Sequence, residues 1–138
     1  MATYTRAKLS EEQDDHKPWI YLHLKTSSPG ALIHTAVSGT TDWDEIWLWT
    51  CFTYMTESGP SYPPSGDAHR LPPERVVVEF GGTSDPDDQI VVRPRYPGPP
   101  VLAVPGLLLN NSTEVRAYCH TAELVYVWLF GHVNQIRN

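Results

Sequence analysis

The chain predicts an all-β fold: an antiparallel β-sandwich, jelly-roll-like, with seven to nine strands and long Pro-rich loops. Three observations carry that expectation. Short segments alternate apolar and polar residues with a period of two, and Gly, Pro, Asn and Asp clusters separate them. The closing segment, Leu124 to Val133, is apolar on both faces with hardly a charge, as a strand in the middle of a packed structure must be.

The first strand follows a polar stretch. Residues 1 to 18, with Ser10-Glu11-Glu12-Gln13-Asp14-Asp15 at their centre, offer almost no apolar face and read as an N-terminal arm, ordered only where it rests on something. Residues 19 to 138 then read as one β-sandwich domain. From Trp19 to Lys25, Ile20, Leu22 and Leu24 face one way and Trp19, Tyr21, His23 and Lys25 the other. Ser27-Ser28-Pro29-Gly30 supplies a turn, and Ala31 to Val37 is expected to complete a hairpin.

Glu45 to Met55 is apolar on both faces and predicts a second central strand. Glu57 to Glu74 holds five prolines and predicts a long stiff loop carrying Tyr62, Asp67 and His69. Arg75 to Phe80 and Gln89 to Arg95 are the next strands, and Pro94 either marks the latter as an edge candidate or ends it early. Val101 to Val104 and Leu107 to Leu109 are short apolar runs on either side of a Pro105-Gly106 turn. Glu114 to Thr121 alternates Val115, Ala117 and Cys119 against Arg116, Tyr118 and His120, then reverses into the closing strand to form a final hairpin. A chain that closes on a central strand is expected to be a complete domain.

Charge and composition exclude several function classes. Ten Lys and Arg against sixteen Asp and Glu give a net charge of −6, and the basic residues are scattered, so nucleic acid is not an expected partner. Pro, Gly or charge interrupts every apolar run well before a membrane helix of about 18 residues, and no apolar signal region opens the chain. Without such a signal, Cys51 and Cys119 are expected free and buried, and Asn110-Asn111-Ser112-Thr113 is expected as a turn although it matches the glycosylation pattern twice.

Catalytic and metal chemistry lack a motif. His23 and His34 flank the Ser-Pro-Gly turn and, with Asp67 or His69, define one candidate metal set, but HxH, HExxH and CxxC spacings are absent. Asp85, Asp87 and Asp88 crowd a Gly-rich connection without the spacing of a calcium loop. Asp42, Asp44 and Glu45 are candidate paired carboxylates for glycoside hydrolysis, which needs two carboxyls roughly 5 to 9 Å apart in a cleft. Ser-elbow, P-loop and dinucleotide fingerprints are also absent, and neither thiol has an activating local context. The expectation is a non-enzymatic protein with no catalytic residue, metal or other cofactor.

Aromatic residues say more. Trp47, Trp49 and Trp128 are expected to build an aromatic core, while Trp19, Tyr21, Trp43 and Tyr62, with His69, are the candidate interface residues between subunits. The same Trp19, Tyr21, Trp43 and Tyr62 are the candidate rings of a carbohydrate-binding or receptor-binding module. Subunit contact is preferred because Pro-stiffened loops and an arm lose little order when clamped on neighbours. A cupin-like metal enzyme, built on His23, His34 and another ligand, is a further alternative.

Asn111-Ser112-Thr113-Glu114-Val115-Arg116-Ala117-Tyr118 and Val125-Tyr126-Val127-Trp128-Leu129-Phe130-Gly131-His132-Val133-Asn134-Gln135-Ile136 resemble the final hairpin of small tailed-bacteriophage virion proteins. Their shared signs are the Asn/Ser turn, the Val-Arg-Ala strand and the hydrophobic strand ending Phe-Gly-His-Val-Asn, over less than a quarter of the chain. The resemblance implies a β-sandwich that decorates or stabilises a capsid or forms a spike or tail attachment component. It also implies assembly in the bacterial host cytoplasm, incorporation into the virion beside other virion proteins, and homo-oligomerisation, a trimer being one candidate. Residues 1 to 18 and 57 to 74 are the expected contact elements.

Overall fold

The computed structural model describes residues 1–10, 19–22, 27–56, 59–61, 75–81, 86–94, 99–119 and 125–138. They form an antiparallel β-sandwich of ten strands: β1 (Thr3–Ala7), β2 (Trp19–Tyr21), β3 (Ala31–Thr35), β4 (Trp43–Thr56), β5 (Gly59–Ser61), β6 (Val76–Gly81), β7 (Pro86–Val92), β8 (Val101–Leu109), β9 (Glu114–Cys119) and β10 (Val125–Arg137). The count exceeds the expected seven to nine because the arm contributes β1 and the Pro-rich segment contributes β5, while the two short runs expected at 101–104 and 107–109 join as β8.

One sheet has six strands and is four strands wide. Its centre is the long pair β10 and β4, in register from Val125 opposite Tyr54 to Ile136 opposite Trp43. The free side of β10 is shared end to end by β1 and β2, and the free side of β4 by β8 and β5. The closing strand is therefore central. The second sheet runs β3-β9-β6-β7, with β7 at its edge, where Pro94 pointed.

The core between the sheets is aliphatic apart from Phe80. Ile46 and Leu48 of β4, Val127, Leu129 and Val133 of β10, and Ala103 and Val104 of β8 pack with Ile33, Val76, Val78, Val115, Ala117 and Cys119 of the other sheet. Leu9 and Leu22 plug the same core. β10 approaches β4 closely at Gly131, where a Cβ would run into the Trp47 carbonyl oxygen.

Several local expectations are corrected. The segments containing β2 and β3 do not form a hairpin: β2 pairs with β10 and β3 with β9, in opposite sheets. Likewise β9 and β10 are not a hairpin, because both sides of β10 are already taken by β4 and by β1 and β2. They face each other across the core instead. Pro105-Gly106 is no turn but an irregularity inside the continuous strand β8, whose register against β4 shifts between Ile46 and Trp47. Proline survives there because β8 flanks the sheet and a bulge needs no ladder hydrogen bond. Within the expected Pro-rich loop, Gly59–Ser61 returns along β4, and residues 62–74 lie outside the described residues.

The Asn turn is as expected. Asn111 and Ser112 adopt left-handed φ of 52° and 59°, and Thr113 N–H and Oγ1 both donate to the Asn110 carbonyl, at 3.0 and 2.7 Å. Cys51 and Cys119 are free thiols, Cys119 buried and Cys51 half-buried. Among the described residues no helix is long and apolar enough to cross a membrane.

Candidate functional site

Alternation along β4 and β10 sorts their side chains. Asp44, Ile46, Leu48 and Thr50 point inward and are buried, while Trp43, Glu45, Trp47, Trp49 and Cys51 occupy the outer face and are half-buried. Opposite them on β10 the outer positions are Ile136, Asn134, His132, Phe130 and Trp128. Trp47, Trp49 and Trp128 thus stand on the outer face instead of building an aromatic core. Trp and Glu45 share the odd positions of β4, and a face that carries an acid has to meet water.

Four rings of this face adjoin one another, parallel within each cross-strand pair and tilted by up to 30° between pairs. Trp47 and His132, directly paired, lie 6.4 Å apart between centroids at 10°, and Trp49 and Phe130, also paired, lie 6.1 Å apart at 15°. Trp47 to Trp49 is 6.3 Å at 24°, which ties the two pairs into one patch. Room for the Trp47 indole comes from Gly106 on β8. A Cβ there would sit 2.9 Å from Trp47 Cζ2, and its φ of 81° itself favours glycine.

Glu45 stands at the end of this patch. Its Oε2 accepts from Trp47 Nε1 at 3.0 Å and from Asn134 Nδ2 at 2.7 Å, and these bonds, Asn134's the stronger, hold its carboxyl below the ordinary value. Burial, followed by the nearby Arg6 guanidinium, holds the His132 imidazole below its ordinary value, with Glu45 acting in the opposite direction. Tyr4 and Arg6 of β1 pair in register with Ile136 and Asn134, and Leu102 and Leu108 of β8 continue the face on the far side, 39% and 49% exposed.

A second polar cluster lies inside. His34 Nδ1 accepts the Ser10 N–H at 3.1 Å, so Nε2 carries the proton and donates to Asp44 Oδ2 at 3.0 Å. Asp44 also accepts from Val37 N–H at 3.0 Å and from Arg137 NH2 at 2.8 Å. Burial pushes its carboxyl up, but the bonds from His34, Arg137 and Val37 outweigh burial and hold it below its ordinary value. Both His34 nitrogens are thereby occupied, neither being open to a metal or a nucleophile. This cluster fastens the arm, β3, β4 and the end of β10 to one another.

The predicted site residues separate accordingly. Trp43 sits at the end of the outer row, opposite Ile136, its carbonyl accepting from Arg137 at 2.8 Å. The backbones of Trp19 and Tyr21 occupy the register positions opposite Phe130 and Trp128. Tyr62 and His69 lie outside the described residues, as do His23, Asp67 and Asp85. The proposed acids do not pair: neighbours in a strand face opposite ways, so Asp44 is internal and Glu45 external, while Asp42 accepts the Asn138 N–H at 2.9 Å. No group of three His, Cys, Asp or Glu converges among the described residues. Sequence reasoning missed Glu45, Trp47, Trp49, Phe130, His132 and Asn134 as a single patch, and the odd-position spacing of Glu45, Trp47 and Trp49 was the signal that could have found it. Compared with known protein families, with curated proteins and with solved structures, the chain matches none of them.

Proposed function

We propose that this chain is a structural subunit of a tailed-bacteriophage type of particle, decorating or stabilising the capsid or forming part of a spike or tail attachment through contacts between subunits. The sequence resemblance of residues 111–118 and 125–136 supports the reading, and one structural observation carries it: the character of β1. This five-residue strand adds to the free side of β10 through backbone pairing, from Thr3 opposite Arg137 to Ala7 opposite Val133. Its first four side chains are exposed, Tyr4 at 73%.

A strand held by its backbone is sequence-tolerant at the receiving edge. The position beside β10 can be filled by the chain's own arm or by that of another copy, which is how identical subunits exchange elements at little energetic cost. Leu9 and Ser10 then act as the register stop, Leu9 inside the core and Ser10 Oγ accepting the Thr35 N–H at 2.9 Å. Light scattering on the full chain at increasing concentration tests the reading, together with binding to purified phage shells that lack the protein. Oligomers that disappear when residues 1–7 are deleted are the expected result. A chain that stays monomeric throughout and does not bind shells overturns it.

A further inference from the structure

We propose that the outer face of the six-stranded sheet, around Glu45, binds a neutral carbohydrate chain. Sugars are amphipathic: a pyranose ring presents C–H groups on one face and hydroxyls around its edge. They therefore pack on aromatic rings beside fixed hydrogen-bonding groups, and both kinds of group occur here within one patch.

The aromatic surface is the adjoining set Trp47, Trp49, Phe130 and His132, with interplanar angles from 10° to 30°. The fixed group is Glu45, whose Oε2 takes both internal hydrogen bonds. Its Oε1 accepts none among the described residues and lies beside Gly106, 3.4 Å from where a Cβ would stand. The carboxylate is held in place before any ligand arrives, with open lone pairs for hydroxyl donors. Below its ordinary pKa, the His132 imidazole is neutral near pH 7 and offers one donor and one acceptor.

Glu45 also distinguishes among possible occupants. Apolar protein surface pressed on this patch would strip water from an ionised carboxylate without replacing its hydrogen bonds, which opposes such contact. A hydroxyl-rich ligand replaces them. Acidic glycans are disfavoured by the same carboxylate and by the net charge of −6.

The site belongs to a single chain, and its success or failure is independent of arm exchange. The test is calorimetry and tryptophan fluorescence on the purified full chain with linear hexasaccharides of glucose, mannose, galactose and N-acetylglucosamine, and with polygalacturonate as the acidic arm. At least one neutral hexasaccharide is expected to bind with a Kd between about 10 μM and 1 mM. Glu45→Gln and Trp47→Ala each weaken it by about tenfold or more, whereas Val91→Thr on the other sheet does not. Circular dichroism checks folding, and His132→Ala replaces Trp47→Ala if that variant unfolds. No response to any neutral sugar up to about 10 mM overturns the proposal, as does binding to the acidic polymer alone. Full-strength binding by Glu45→Gln also overturns it, and so does an oligomer that dissociates on Trp47→Ala, which would make a second copy the occupant.

Discussion

His34 on β3 and Asp44 on β4 are joined across the two sheets by a buried hydrogen bond of 3.0 Å, with Nε2 donating to Oδ2. Asp44 is simultaneously held by Arg137 of β10 through its other oxygen, at 2.8 Å. One carboxylate therefore links a strand of the second sheet to the two central strands of the first.

Replacing Asp44 by Asn leaves an amide N–H facing a donor on one side or the other, and its expected cost is about 3 kcal/mol. The pH dependence has a definite sign. Because the folded carboxyl lies below its ordinary value of 3.8, its contribution is complete above that value and drains away as pH falls through the folded one. Thermal melts between pH 7 and pH 3 should show wild-type stability falling below about pH 4 more steeply than that of Asp44→Asn. Parallel curves would remove this role from Asp44.

Gly131→Ala is expected to destabilise the fold by about 2 to 3 kcal/mol. The added methyl meets the Trp47 carbonyl, a backbone atom in the central ladder, which cannot rotate aside. Chemical denaturation measures the effect. A variant as stable as wild type would mean that β10 can move away from β4 there.

The arm should divide into an anchor and a free strand. Leu9→Ala opens a cavity in the core and is expected to cost about 2 to 3 kcal/mol, whereas Tyr4→Ala, at an exposed position, should change stability by less than about 0.5 kcal/mol. Comparable losses in both would show that β1 is held by its side chains.

The two thiols should label slowly. Burial pushes the Cys51 thiol above its ordinary value, lowering its thiolate fraction near pH 8, and Cys119 is buried, its thiol donating to the Leu22 carbonyl at 3.3 Å. A disulfide reagent on the native chain should modify Cys51 more slowly than an unstructured cysteine and reach Cys119 only with unfolding. Rapid native labelling of Cys119 would contradict the packing at Leu22.

By itself, the sequence determined the β class, the central places of β4 and β10 and the edge place of β7. Each follows from local information: a period of two, two apolar faces, a proline that cannot donate. The Asn turn was legible for the same reason, since Asn tolerates left-handed backbone and Asn and Ser side chains favour turns. Pairing was not legible. Whether β9 hydrogen-bonds to β10 or faces it across the core depends on which other strands have already taken the sides of β10, and no local pattern carries that information.

The same limit hid the outer patch. Trp47 and Trp49 have the composition of a core, and only the cross-strand register, which sets His132 and Phe130 beside them and Asn134 beside Glu45, turns half-buried tryptophans into one ring surface with an oriented carboxylate. Asp44 and Glu45 are adjacent acids in the chain, yet the pleat sends one to clamp the sheets and the other to face water. Tertiary structure decided those roles, because each also needs a partner on β10, Asn134 for Glu45 and Arg137 for Asp44, that lies more than eighty residues away along the chain.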